Sequence, residues 1–283
     1  MADRRPLRRF RRITIALDSS GLNRAAVETA AMLAASTRAE FQAVFVEDEV
    51  LYTLADLPLV REVSREGTVV RSFARGDIER DLQAATAAAR AAISAAARRA
   101  SIEWQFEVMR GVADEMVPRM AGEAQVLALG SALARVGRVH RIESLRRSLQ
   151  PGVGVLVTPP AASRTVGAVV TMLGPDADIA AMIELTRLVA GENGRERRYV
   201  VVSDEEAECD RIAAELDAAG EPEPVRCVLD DVALLARIAR HLDAGLVIAD
   251  IDQHAFDQVS SVERASEAFG CPLLLVQSGP GSA

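Results

Sequence analysis

No lysine occurs in the 283 residues, so all 33 basic side chains are arginine. That absence excludes a Walker A phosphate loop, a Schiff-base lysine and a lysine general base, and several large enzyme classes go with them. Aromatic residues make up only 4% of a chain that is 49% hydrophobic, so the core has to be built from Ala, Val, Leu and Ile. Cysteine is scarce as well: Cys209, Cys227 and Cys271 are odd in number and widely spaced, which fits neither a disulfide framework nor a zinc knuckle. His140, His241 and His254 stand far apart, without a metal-ligand spacing. No apolar run approaches the roughly 18 residues of a membrane helix. The run after the leading arginines is about five residues long, too short for a signal peptide, so the expected compartment is the cytoplasm. The nucleophile elbow G-x-S-x-G, the zinc motif HExxH and a glycine-rich dinucleotide fingerprint are all missing.

The chain does have enough length for two cores and a net charge of −8. That charge argues against a global nucleic-acid or membrane-surface binder. The arginines at positions 4, 5, 8, 9, 11 and 12 have a single aromatic among them, Phe10, too little to stack a run of bases, and read as a leader before the first strand. Short β-branched or aliphatic runs alternate with helical patterns: strands at 13–17, 41–46, 102–109, 126–129 and 153–157, and helices at 25–35, 77–100 and about 112–121. Between 47 and 75 the pattern is irregular, and one short helix is expected within 51–63. Pro159-Pro160 reads as a linker. Beyond it the same order recurs, with strands at 168–172, 198–202, 225–229, 245–249 and 272–276 and helices at 179–189, 205–219, 232–242 and 262–269. The predicted fold is α/β: two tandem Rossmann-like domains, residues 1–160 and 161–283, each a five-stranded parallel sheet with helices on both faces.

In such sheets ligands bind beyond the carboxyl ends of the strands, where helix N-termini converge. The stretch from Gln125 to Pro160 is therefore the first candidate, since an apolar strand ends there at Gly130-Ser131. Ile15-Ala16-Leu17-Asp18-Ser19-Ser20, Val126-Leu127-Ala128-Leu129-Gly130-Ser131 and the ending Gly270-Cys271-Pro272-Leu273-Leu274-Leu275-Val276 resemble the universal stress protein family in a tandem form. The family's ATP-binding members carry a glycine, two residues, a glycine, nine residues, then Gly-Ser or Gly-Thr. By that resemblance the first glycine falls on Gly130, the second on Leu133 and the final pair on Glu143-Ser144. Leucine closes the approach of a phosphate to the backbone. Glutamate sets a like charge there, a repulsion on the order of a few kcal/mol at contact with an effective dielectric near 20. In the second half Asp250 takes the place of the first glycine.

The resemblance implies a site of Asp18, Val46, Gly130, Ser131 and Ser144, with ATP or AMP as the ligand where one binds. Asp18 has a second reading as the cap of the first helix, with Ser19 or Ser20 as its N-cap, and Ser144 reads equally as an N-cap. Arg135, Arg138, Arg141, Arg146 and Arg147 crowd one loop. They read either as a solvated charged face or as an anion site in which Arg138 and Arg141 fork onto phosphate or carboxylate. The acidic run at 204–210 suits a helix start without a metal. The expected function is a non-catalytic stress-response or regulatory protein that acts through a protein partner, with nucleotide binding weak or lost. Binding of an anionic small molecule and hydrolysis of adenine nucleotides are the alternatives. The family's use of final strands for association makes Val153 to Val157 and Pro272 to Val276 the candidates for an internal pseudo-dimer interface or a homodimer.

Overall fold

The computed structural model describes residues 10–57, 61–63, 70–72, 74–112, 115–116, 119–120, 124–129, 153–159, 165–191, 194–228, 231–256 and 262–277. Its first half runs β1 (Arg12–Asp18), α1 (Arg24–Thr37), β2 (Glu40–Asp48), α2 (Glu49–Ala55), β3 (Arg61–Val63), β4 (Val70–Ser72), α3 (Arg75–Ala100), β5 (Trp104–Gly111), β6 (Val126–Leu129) and β7 (Gly154–Val157). The second half runs β8 (Ala168–Leu173), α4 (Ile179–Gly191), β9 (Arg197–Val202), α5 (Glu206–Ala218), β10 (Val225–Cys227), α6 (Val232–His241), β11 (Ala244–Asp250), α7 (Val262–Phe269) and β12 (Leu273–Val276).

The strand order is β10-β9-β8-β11-β12-β7-β6-β1-β2-β5, and every neighbouring pair is parallel except β12 with β7. Read from the middle outwards, both halves have one order: last strand, fourth, first, second, third. In place of two separate sheets there is a single ten-stranded one. The reason lies in β7 and β12, which end their halves and would each leave a row of backbone donors and acceptors open. They pair instead, Leu273 with Val157 through Val276 with Gly154, and both become interior strands. A Cβ at Gly154 would stand 3.2 Å from Leu274 Cδ1 and Val276 Cγ1, so the join is tight there.

Burial on both faces explains the continuous apolar runs of β6, β7, β11 and β12, every residue of which is buried. One face carries α1, α3, α4 and α5, with Ile13, Ile15, Leu156, Leu173 and Leu274 beneath them. The other carries α6, α7 and the pair Met116 and Met120, over Leu127, Val155, Val247 and Leu275. The Ala-rich α3 has Asp77 in its first turn and Arg98 and Arg99 in its last, each matched to the helix dipole. Between β2 and α3 the expected helix over 51–63 is shorter and earlier, and the antiparallel pair β3–β4 follows it. The third strand likewise sits two residues later than 102–109. Among the described residues no helix is long and apolar enough to cross a membrane.

The second half has a polar clasp at the amino-terminal end of β9. The Glu221 side chain, fully shielded from solvent, accepts from Arg187 Nε, from Arg197 Nε at 2.8 Å and from the Tyr199 hydroxyl at 2.9 Å. Burial works against its charge, but the hydrogen bonds from Arg197, Arg187 and Tyr199 outweigh that and hold the carboxyl below its ordinary range. Burial, with the carboxylate beside it, pushes the Tyr199 hydroxyl up.

Candidate functional site

In each half the order of strands reverses between the first and the fourth, and that switch point opens a crevice at the carboxyl ends. In the first half it lies between β1 and β6, where Ala16 faces Leu129 in register. Asp18 ends β1 and pairs with Val46 on β2, so two residues far apart in sequence stand side by side on the rim. Val46 is buried and Asp18 half-buried. The Asp18 Oδ1 accepts from the Ser20 backbone N–H at 2.8 Å and from the Ser20 hydroxyl. This local Asx turn is closed by Gly21 at φ 136°, a conformation that favours glycine.

The reading of Asp18 as a helix cap, with Ser19 or Ser20 at the N-cap, is corrected here. The N-cap of α1 is Asn23, whose side chain accepts from the Ala26 N–H at 3.2 Å. The turn at Gly21 carries the chain a few residues further before the helix can begin. Asn23 was missed, although an amide before an Ala-rich helix is a recognised start signal. Its Nδ2 donates to the Thr158 carbonyl at 2.9 Å and, more weakly, to that of Pro159 at 3.4 Å, tying the start of α1 to the end of β7. Beside that tie the Thr158 Oγ1 is buried, with no hydrogen-bond partner among the described residues.

A second group missed by sequence reasoning stands on the same rim. Glu47 and Arg110 are register partners on β2 and β5, and Arg110 Nη2 donates to Glu47 at 3.0 Å and to the Tyr52 hydroxyl at 3.1 Å. The Tyr52 ring on α2 lies beneath the Arg110 guanidinium at 4.3 Å and has that of Arg75 at 5.4 Å. Burial, helped by the Glu47 charge, pushes the Tyr52 hydroxyl up, so it stays a neutral donor. The group pins α2 against the strand ends next to Val46. Glu47, Tyr52 and Arg110 come from three elements, and the strand register is what sets Glu47 beside Arg110.

The remaining predicted site residues, Gly130, Ser131, Arg138, Arg141 and Ser144, lie outside the described residues, as do Leu133 and Glu143. At the second switch point the strand ends and the chain after β11 as far as Phe256 are described. There Met172 faces Ala249, the last register pair of β8 with β11, in the place that Ala16 and Leu129 hold in the first half. Counting on from these pairs, Gly174 stands where Asp18 stands and Asp250 where the chain after Leu129 has Gly130. Asp250 is buried, and its Oδ1 accepts from the Asp252 N–H at 2.8 Å. The buried Gln253 lies across the crevice, its Cγ 4.0 Å from where a Cβ on Gly174 would sit. Gln277, just past β12, reaches Asp252 Oδ2 with its amide nitrogen at 3.4 Å. A carboxylate at the end of β11 and a side chain across the opening do not fit a phosphate. In the first half, Asp18 and Val46 form the part of the rim that the family resemblance assigns to the nucleoside. No cluster of three or more His, Cys, Asp or Glu side chains able to hold a metal occurs among the described residues.

No protein-family model matches the chain, and no curated protein matches it in sequence. Solved structures do match its fold. A universal stress protein from Archaeoglobus fulgidus superposes with a TM-score of 0.60 at 12% identity, covering 98% of this chain and 99% of that one. A Pseudomonas aeruginosa protein provisionally named a universal stress protein gives 0.57 at 11% identity, covering 96% and 94%. Another from the same species, of unknown function, gives 0.58 at 11% identity over the same shares. At such identities the likeness is one of fold: this chain has the α/β architecture of universal stress proteins over nearly its whole length.

Proposed function

We propose that the chain is a non-catalytic stress-response or regulatory protein built as a tandem pair of universal-stress-protein-like units, acting through a protein partner, with nucleotide binding weak or lost. The observation that carries this reading is the placement of acids where the nucleotide-binding pattern calls for glycine. Asp250 is buried at the end of β11 in place of the first glycine, and in the first half Glu143 falls at the spacing of the last one. A carboxylate repels phosphate, and a buried one does so with little screening. The β7–β12 pairing serves in this reading as the internal interface of the pseudo-dimer. Isothermal titration with ATP, ADP and AMP tests the proposal. It expects dissociation constants weaker than about 1 mM, roughly −4 kcal/mol. Micromolar affinity, or nucleotide retained through purification, contradicts it.

The pairing of Asp18 with Val46 favours a second reading, in which the first half holds a different anionic or nucleoside ligand with Arg138 and Arg141 as its anion forks. A thermal-shift screen of nucleosides and small carboxylates and phosphates is its test. A hit that weakens in the double variant R138A/R141A and at high salt supports it. A hit that is unchanged in both removes it.

A further inference from the structure

The two outer edges of the sheet are unlike. β10 is a three-residue edge, and Arg226 on it is held by Asp210 at 2.8 Å. β5, at the other end, is eight residues long, has no proline, and among the described residues pairs only with β2. Alternate backbone donors and acceptors along it face outward. An unblunted edge of this length is a template for another strand. The exposed large apolar side chains among the described residues also gather at this end: Val50, Leu54 and Leu57 on or just after α2, and Val108 and Val112 on or just after β5. Only Val166, Val225 and Val228 lie elsewhere. Val108, on the edge strand itself, is 43% exposed.

We infer that a second copy of this chain covers that edge, β5 against β5 in antiparallel register across a twofold axis. Several observations select this occupant. A twofold axis normal to the sheet keeps each side chain on its own face, so a residue can oppose only one an even number of positions away along the same strand. Two such registers overlap nearly the full strand, centred on Glu107 or on Val108. The first stacks Glu107 on its own copy, a like-charge pair that destabilises the ladder. The second sets Val108 against Val108, Phe106 opposite Arg110, and Trp104 opposite Val112. Phe106 already receives a guanidinium, that of Arg90 at 4.3 Å, so its ring suits a cation. Val50, Leu54 and Leu57 then flank the new pair from each copy. The chain also uses the same device internally, since β7 and β12 join the halves as an antiparallel pair. A three-residue β10 offers too few ladder bonds to compete for the edge.

Sedimentation velocity on the full chain, from about 1 µM to about 100 µM, together with two variants at one exposed position, tests the inference. The wild type is expected to move from the 30.3 kDa monomer to a species of twice that mass as concentration rises. V108E is expected to stay monomeric, because two carboxylates would meet at the axis. V108C is expected to cross-link on mild oxidation, since directly opposed residues of an antiparallel pair stand at disulfide distance. The native cysteines are all buried and supply no background. A wild type monomeric throughout overturns the inference, as does a dimer that persists in V108E. Species that grow beyond the dimer overturn it too, because they report head-to-tail joining of unlike edges. If V108E fails to fold by circular dichroism, V108C decides alone: absence of a cross-linked dimer overturns the inference.

Discussion

The two halves share one strand order and one distribution of helices, yet their switch points are built with opposite chemistry. In the first, the acid ends the first strand as Asp18, half-buried in an Asx turn, and the chain leaves the fourth strand at a glycine. In the second, a glycine, Gly174, follows the first strand and the acid, Asp250, is buried at the end of the fourth, with Gln253 lying across the opening. The interior strands that carry these ends are alike, apolar and buried on both faces. The lesson is that the sheet tolerates such changes because they fall at the strand ends, beyond the last register pair that joins the first and fourth strands of each half. A ligand site can therefore be remade in one half while the architecture of both is kept.

The halves also differ in what stabilises them, and that difference can be broken in order of expected effect. The second half depends on a backbone contact at its base. Gly167 sits at φ 135°, and a Cβ there would fall on the Asp243 carbonyl oxygen. G167A is expected to lose about 3 kcal/mol in urea unfolding, from strain and overpacking together. The Glu221 clasp comes next. E221Q removes the charge that Arg187 and Arg197 share, and because both guanidiniums are more than a third exposed the cost is screened to roughly 2 kcal/mol. The sign with pH follows from the lowered carboxyl of Glu221. Its stabilising effect is present above the ordinary carboxylate range and disappears as pH falls through the folded-state value. Urea midpoints of wild type and E221Q should therefore converge on acidification, and a gap that stays constant to low pH would remove the clasp from the account.

The seam between the halves comes third. G154A pushes a methyl group against Leu274 and Val276, and about 1–2 kcal/mol is expected, with both halves destabilised together because the strand pair is common to them. Separate unfolding of the halves in wild type would contradict that coupling. The smallest effect belongs to the first half. Y52F keeps the ring under Arg110 and removes the hydroxyl that bridges Glu47, at a cost of about 1 kcal/mol. Hydrogen exchange should quicken in α2 and leave the second half unchanged.

Much of the architecture was legible in the sequence because parallel strands buried on two faces spell continuous apolar runs. β6, β7, β11 and β12 stand where those runs predict them. The edge strand β5 was legible for the opposite reason: its alternation of apolar and polar residues marks a half-covered strand, though its start is shifted by two residues. The insertion after β2 misled, because α2 followed by two three-residue strands carries too few residues per element for a period to show. At the candidate site, the position of Asp18 beside Val46 could be anticipated from strand ends alone. The Tyr52, Glu47 and Arg110 group could not, since it depends on a register between residues 63 apart in the chain. Nor could the Asn23 tie to β7, which spans 135 positions.

The central claim is that the nucleotide cradle of the first half has been closed by Leu133 and Glu143 and that the rest of its frame survives. Titration of ATP into the double variant L133G/E143G, alongside wild type and the same double variant carrying D18A, measures this directly. The account predicts no saturable binding by wild type at sub-millimolar ATP, binding at least tenfold tighter in the double variant, about 1.4 kcal/mol, and its loss again when Asp18 is removed. Tight binding by wild type, or a double variant no better than wild type, would contradict it.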